Sequence, residues 1–200
     1  MTRIKMCGLR RPEDIDAANE IMPEYIGFVF FPGSRRHVSS ETARALKSRL
    51  APEIKAVGVF VDEPPENVAA LLDEGVIDLA QLHGHEDEAY LERLRKLNGK
   101  PVIRAFRIRN SEDAEQAQRS AAEMILLDAG AGDGKTFDWN LLRPVTRPYF
   151  LAGGLNPENV SVAVEQLNPW AVDVSSGIET NGLKDKSKMR AFTIAVRGRR

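Results

Sequence analysis

Two hundred residues allow one domain with a sizeable core, and 42% hydrophobic with 28% charged residues is an ordinary soluble composition. A formal net charge of −1 removes any electrostatic case for nucleic acid or an anionic membrane surface, and one cysteine excludes an internal disulfide. No apolar stretch approaches the roughly 20 residues that cross a bilayer, and Met1 to Met6 lacks the apolar centre of a signal peptide, so a reducing cytoplasm is the expected setting.

In chain order, short apolar runs read as buried strands at Ile4–Met6, Tyr25–Phe30, Ala56–Phe60, Leu79–Leu82, Val102–Ala105, Met124–Asp128, Phe150–Ala152 and Ala171–Val174. Their centres recur every 20 to 30 residues or so, room for a strand, a loop, a helix and a second loop. Between them, Pro12–Met22 carries Ile15, Ala18 and Met22 on one helical face, with Pro12 at its start. Ser40–Leu50 is expected to start at Ser40 as N-cap, and Pro65–Glu74 to stop at Gly75. Glu86–Leu97 places Ala89, Leu91, Leu94 and Leu97 at helical spacing, Asn156-Pro157 opens a further helix, and Lys188–Val196 supplies the last. Ala114–Ala122 and Asp138–Leu142 carry weaker helical patterns.

Eight strands alternating with helices predict a single (β/α)8 TIM barrel spanning residues 1–200, with parallel strands and right-handed crossovers. A doubly wound open sheet is the rival, but it explains eight even units less well, and no G-x-G-x-x-G follows the first strand. Arg197 to Arg200 is a small basic tail, read as a frayed terminus.

Barrel chemistry sits at the C-terminal strand ends, and these read Cys7, Phe31 to Arg36, Asp62, His83, Arg104, Asp128, Gly153-Gly154 and Ser175-Ser176-Gly177. The last two stretches are the expected phosphate cradle, because glycines let backbone N–H groups approach an anion. A bare Gly-Gly is also an ordinary turn; both loops in this register favour phosphate. Gly130, Gly132, Gly134 and Lys135 form another glycine-rich loop without Walker spacing. Cys7 and Asp128 are a base and an acid able to move protons in one pocket without a cofactor. The bland alternatives are an inert buried thiol and a carboxylate that caps the following loop. Asp173, inside an apolar strand, either faces the barrel mouth or pairs with a base such as Arg104. Arg35 and Arg36 offer bidentate geometry to a carboxylate, with surface solvation the alternative for at least one. His83 and His85 splay apart on alternate positions, so His83 is read as a hydrogen-bonding group of the pocket and no metal site is expected.

Taken together, these stretches resemble the phosphoribosylanthranilate isomerase family along essentially the whole chain. The carriers are Lys5 to Leu9, Gly27 to Phe30 with Ser34 to Ser39, Gln81 to Gly84, Leu126 to Asp128, Gly134 to Trp139, Leu151 to Leu155 and Asp173 to Glu179, continued by Gly182 to Asp185, Met189 and Phe192. The resemblance implies an Amadori rearrangement of a phosphorylated small molecule, N-(5-phosphoribosyl)anthranilate, in tryptophan synthesis, with no cofactor and no metal. By motif, Asp128 would be the general acid that opens the furanose ring and Cys7 the general base at C2′. Arg36 would hold the anthranilate carboxylate, Asp173 would support the site, and Gly154, Ser176 and Gly177 would lie in the phosphate loops. A monomer or homodimer is expected, with a phosphorylated small molecule as the ligand. Gly33 and Arg35 depart from the family's common lysine and proline, and the loop from Ala129 to Gly134 is one residue short, with Asp133 where a small residue is usual.

Among rivals, a ribulose-phosphate epimerase would need metal-ligating His and Asp at several strand ends, and indole-glycerol-phosphate synthase a catalytic pocket lysine. A barrel that merely binds a phosphorylated metabolite would need neither Cys7 nor Asp128.

Overall fold

A computed structural model describes residues 1–128 and 139–198. Eight parallel strands close on themselves in sequence order: β1 (Arg3–Cys7), β2 (Tyr25–Val29), β3 (Lys55–Phe60), β4 (Leu79–Leu82), β5 (Val102–Arg107), β6 (Met124–Asp128), β7 (Tyr149–Ala152) and β8 (Ala171–Val174). The seam is the β1–β8 pair, in which Ile4 faces Val172 and Lys5 faces Asp173. Each predicted strand is present, most with bounds moved by one or two residues.

The outer layer holds α1 (Pro12–Ile21), α2 (Ser40–Lys47), α3 (Pro65–Asp73), α4 (Glu88–Leu97), α5 (Ser111–Arg119), α6 (Val160–Leu167) and α7 (Lys186–Arg197). Several starts differ from expectation: α4 begins at Glu88 rather than Glu86, α5 at Ser111 rather than Ala114 and α7 at Lys186 rather than Lys188, and the entries to α2 and α6 differ as well. Ser39, not Ser40, caps α2, its hydroxyl accepting from the Thr42 N–H at 3.1 Å. Asn156 and Pro157 form a turn ahead of α6, which begins only at Val160; Asn156 Oδ1 accepts from the N–H groups of Glu158 and Asn159 at 3.0 Å each. Before β7 the described residues hold only a 3₁₀ turn, Trp139–Leu142, where a helix over Asp138–Leu142 was expected. After β8, a 3₁₀ turn (Ser176–Ile178) leads into a small hairpin of β9 (Glu179–Thr180) and β10 (Leu183–Lys184) that sequence patterning does not reveal. Two-residue strands have no periodicity to read.

Strand alternation sorts side chains into two cores. Ile4, Met6, Ile26, Phe28, Ala80, Leu82, Ile125 and Leu127 point outward and pack under the helices. The inward residues stack in layers, as barrel interiors do. At the N-terminal end Tyr25, Phe150 and Trp170 form an aromatic plug with centroids 5.1 to 6.1 Å apart, backed by Val57, Leu79, Ile103 and Leu126. At the other end Cys7, Val29 and Val59 meet. Each strand therefore spends its last inward position at the mouth, which is what delivers side chains to a site.

Candidate active site

Cys7, Ser34, Arg36, Gln81, His83, Asp128, Gly153, Gly154, Asp173, Ser175 and Ser176 line one cavity of about 480 Å³ at the C-terminal mouth of the barrel, over a floor of Val29, Val59 and Ala152. Of the strand-end list, Asp62, Arg104 and Gly177 are not among the residues lining it. A larger cleft of about 810 Å³ lies at the opposite end, between Arg3, Tyr149, Trp170 and Arg147. It is bordered by strand starts rather than strand ends, the face that serves stability in this architecture.

Cys7 ends β1 with its sulfur among Val29 and Val59, 8% exposed, and it borders the cavity. Burial pushes its thiol up from the ordinary value, and the positive charge of Lys5 works against that rise. Asp128 ends β6 and borders the same cavity. His83 follows β4 and brings Nε2 to 3.6 Å from Asp128 Oδ2, an electrostatic approach longer than a hydrogen bond. The other ring nitrogen, Nδ1, lies 2.9 Å from Gln81 Nε2. His85 turns away as expected and pairs with Asp62 at 3.0 Å.

The glycine loops lie side by side. Gly153 and Gly154 take φ of 99° and 64°, in the left-handed region that glycine enters without strain. Asn159 Nδ2 donates to the Gly154 carbonyl at 3.0 Å, fixing this loop at the start of α6. Ser175 and Ser176 line the cavity from the β8 side, Ser175 donating through Oγ to the Cys7 carbonyl at 3.1 Å. Gly177, expected in the cradle itself, is not among the cavity-lining residues. Its Cα passes so close to Leu155 that an added Cβ would overlap the Leu155 carbonyl oxygen. Its missing side chain lets the two loops touch.

Two ion-pair expectations change. Asp173 does not pair with Arg104. It accepts from Lys5 Nζ at 2.9 Å across the β1–β8 seam, while Arg104, inside β5 rather than at its end, pairs with Glu88 at 2.6 Å. Register explains this: Lys5 and Asp173 are direct neighbours, both facing inward. Arg36 lines the cavity, but its guanidinium is forked onto Glu179, Nε to Oε1 at 2.6 Å and Nη2 to Oε2 at 2.9 Å. Arg35 reaches the same carboxylate at 3.0 Å with an exposed side chain. Buried Lys184 completes the set, 2.7 Å from Glu179 Oε1. Burial alone would raise the Glu179 carboxyl, but hydrogen bonds from Arg36 and Lys184 outweigh it and hold the group at about 2.

Sequence reading missed Lys5, Gln81, Glu179 and Lys184. Lys5 and Gln81 carried the signal that marked Asp173, a polar residue at an inward position of an apolar strand; each is essentially unexposed. Glu179 and Lys184 sit on the hairpin and had no such signal. The loop of Gly130, Gly132, Gly134 and Lys135, the stretch Gly134 to Asp138, and Arg199 and Arg200 lie outside the described residues. Among the described residues no three His, Cys, Asp or Glu side chains cluster in a metal-binding arrangement, and no helix is long and apolar enough to cross a membrane.

A family model for N-(5'-phosphoribosyl)anthranilate isomerase matches residues 4–195. An N-(5'-phosphoribosyl)anthranilate isomerase of Acetivibrio thermocellus is 46% identical over 211 residues, covering 98% of this chain and 96% of the relative. The crystal structure of the isomerase from Thermotoga maritima superposes with a TM-score of 0.91 at 37% identity, covering 99% of this chain and all of that one. A crystal structure of such an isomerase in complex with reduced 1-(o-carboxyphenylamino)-1-deoxyribulose 5-phosphate matches with a TM-score of 0.89, 37% identity and the same coverage. The chain belongs to the N-(5'-phosphoribosyl)anthranilate isomerase family.

Proposed function

We propose that this barrel isomerises N-(5'-phosphoribosyl)anthranilate to 1-(2-carboxyphenylamino)-1-deoxyribulose 5-phosphate, with Asp128 as general acid and Cys7 as general base. The reaction is the third step of tryptophan synthesis from chorismate and belongs in the cytoplasm, where a lone thiol stays reduced. The observation that carries the assignment of roles is that Cys7 and Asp128, 121 positions apart, border one cavity beside the Gly153-Gly154 and Ser175-Ser176 loops.

Asp128 gives its proton to the furanose ring oxygen. The C1′–O bond breaks towards that oxygen, and the nitrogen lone pair forms a C1′=N iminium. The thiolate of Cys7 then takes the C2′ proton. The C–H electrons become a C1′=C2′ double bond, and the iminium π pair returns to nitrogen as an enolamine. Tautomerisation moves the C2′ hydroxyl proton to C1′ and leaves the ketone. The iminium acidifies C2′–H, so a base of thiolate strength suffices, and the sequence of steps asks for no metal or coenzyme. The loops after β7 and β8 would hold the phosphate through backbone N–H groups. Arg36, oriented by Glu179, would receive the anthranilate carboxylate on its remaining N–H groups, while His83 and Asp173 complete the binding surface.

The test is an anthranilate-fluorescence assay on the purified protein and on Cys7→Ser and Asp128→Asn. Each substitution is expected to lower kcat by about a thousandfold or more while a reduced product analogue still binds with Kd changed by less than about tenfold. Turnover within about tenfold of wild type in either variant would overturn the assigned role.

A further inference from the structure

Lys5 is an anomaly of the interior. It is fully buried, one of the largest unexposed side chains in the protein, and it stands at an inward position of β1 two residues before Cys7. Residues at i and i+2 of a strand share a face, so its ammonium rises beneath the sulfur. Asp173 accepts from it at 2.9 Å, and its positive charge acts on the Cys7 thiol two places further along the strand. Burial would discharge a lone lysine, but Asp173 reverses that and the ammonium stays charged. A structural ion pair closing the β1–β8 seam would work equally well with the lysine pointed away from the thiol, and such pairs contribute little net stability.

The other charged groups around Cys7 are already engaged. Lys184, from β10, donates to Glu179 and to the Ser175 carbonyl. Arg36, from the β2–α2 connection, is forked onto Glu179. Asp128 and His83 face one another across the cavity, after β6 and β4. Among these groups Lys5 alone stands on the Cys7 strand itself, two places before the thiol, with Asp173 as its ion-pair partner.

We propose that Lys5, paired with Asp173 and buried two places before Cys7 on the same strand face, is the buried counter-charge on which the base activity of Cys7 depends. Lys5 acts as a positioning residue for charge: when the thiol gives up its proton, the ammonium shifts its attraction from Asp173 to the thiolate, and when the sulfur takes the C2′ proton, the ammonium returns. Asp173 restrains the base, since it competes for the same cation. The inference rests on Cys7 being the base, and the test separates the two ideas.

Cys7 is the chain's only cysteine, so the rate of alkylation by iodoacetamide against pH reports its ionisation alone. That profile, and kcat/KM against pH, would be measured on the intact protein, Lys5→Met and Asp173→Asn. Lys5→Met is expected to move the alkylation midpoint up by about one pH unit or more, and Asp173→Asn to move it down. The base limb of kcat/KM should move the same way in each. A purely structural pair predicts no such opposed shifts. Unmoved midpoints, or shifts of the same sign, overturn the proposal. If Lys5→Met does not fold, Asp173→Asn decides by itself: a downward shift supports the proposal, and no shift or an upward one overturns it. Opposed alkylation shifts with an unmoved kcat/KM profile uphold the role of Lys5 and remove Cys7 from the chemistry.

Discussion

Glu179 holds three cations with one carboxylate: Arg35 and Arg36 from the β2–α2 connection and Lys184 from β10. Its carboxyl lies at about 2 against an ordinary 4.5, so the folded protein binds fewer protons there than the unfolded chain. The stability this supplies is fully present above about 4.5 and is lost as pH falls towards 2. Urea unfolding across that range should show wild type losing stability on this segment and Glu179→Gln losing far less of it. At neutral pH Glu179→Gln should cost about 3 kcal/mol, because it strands the buried Lys184 ammonium. The same variant frees the Arg36 fork, so KM should rise more than kcat falls in the fluorescence assay. Cys7 presents the opposite sign. Burial holds its thiol above the ordinary value, so kcat/KM should still be climbing at the alkaline end of a pH profile, and a plateau reached below pH 7 would contradict it as the base.

Among elements, the loops after β7 and β8 are coupled by a single close approach. Gly177→Ala would drive a methyl into the Leu155 carbonyl and push the loops apart. A loss of about 1–3 kcal/mol in urea, with at least a tenfold weaker affinity for the phosphorylated product analogue, is expected. Helix α7 starts on Asp185, whose Oδ1 accepts from Ser187 and Lys188 N–H at 2.9 and 3.2 Å while Oδ2 accepts from Thr180 Oγ1 at 2.8 Å. Asp185→Ala should cost about 1–2 kcal/mol, read from the same unfolding curves, since it removes an N-cap and loosens the hairpin together. The strands were legible because burial on both faces leaves uninterrupted apolar runs such as Met124 to Leu127. Helix starts were less so. Ser39 and Ser40 are chemically equivalent caps, and only the path out of the preceding loop decides which hydroxyl meets an N–H.

For the molecule as a whole, the site lies where all eight strands end, so a ligand there touches elements far apart in sequence and stabilises the barrel by mass action. At about 100 times its Kd the product analogue should add about 2.7 kcal/mol, which for a chain of this size raises Tm by about 5–10 °C in differential scanning fluorimetry. An unmoved Tm at that ratio would mean that the ligand does not engage the closed barrel.

The sequence by itself determined the eight-fold alternation, because strands buried on both faces leave apolar runs and a polar residue inside or just after such a run is visible in the string. Cys7, His83, Asp128, Gly153, Gly154 and Ser175 were therefore legible as one set. Only the tertiary structure decided who pairs with whom. Lys5 meets Asp173 across 168 positions because the barrel closes β1 on β8 in one register, and Glu179 gathers its cations because a two-residue hairpin folds back over the mouth. Charges choose partners by distance in space, and closing the sheet sets those distances.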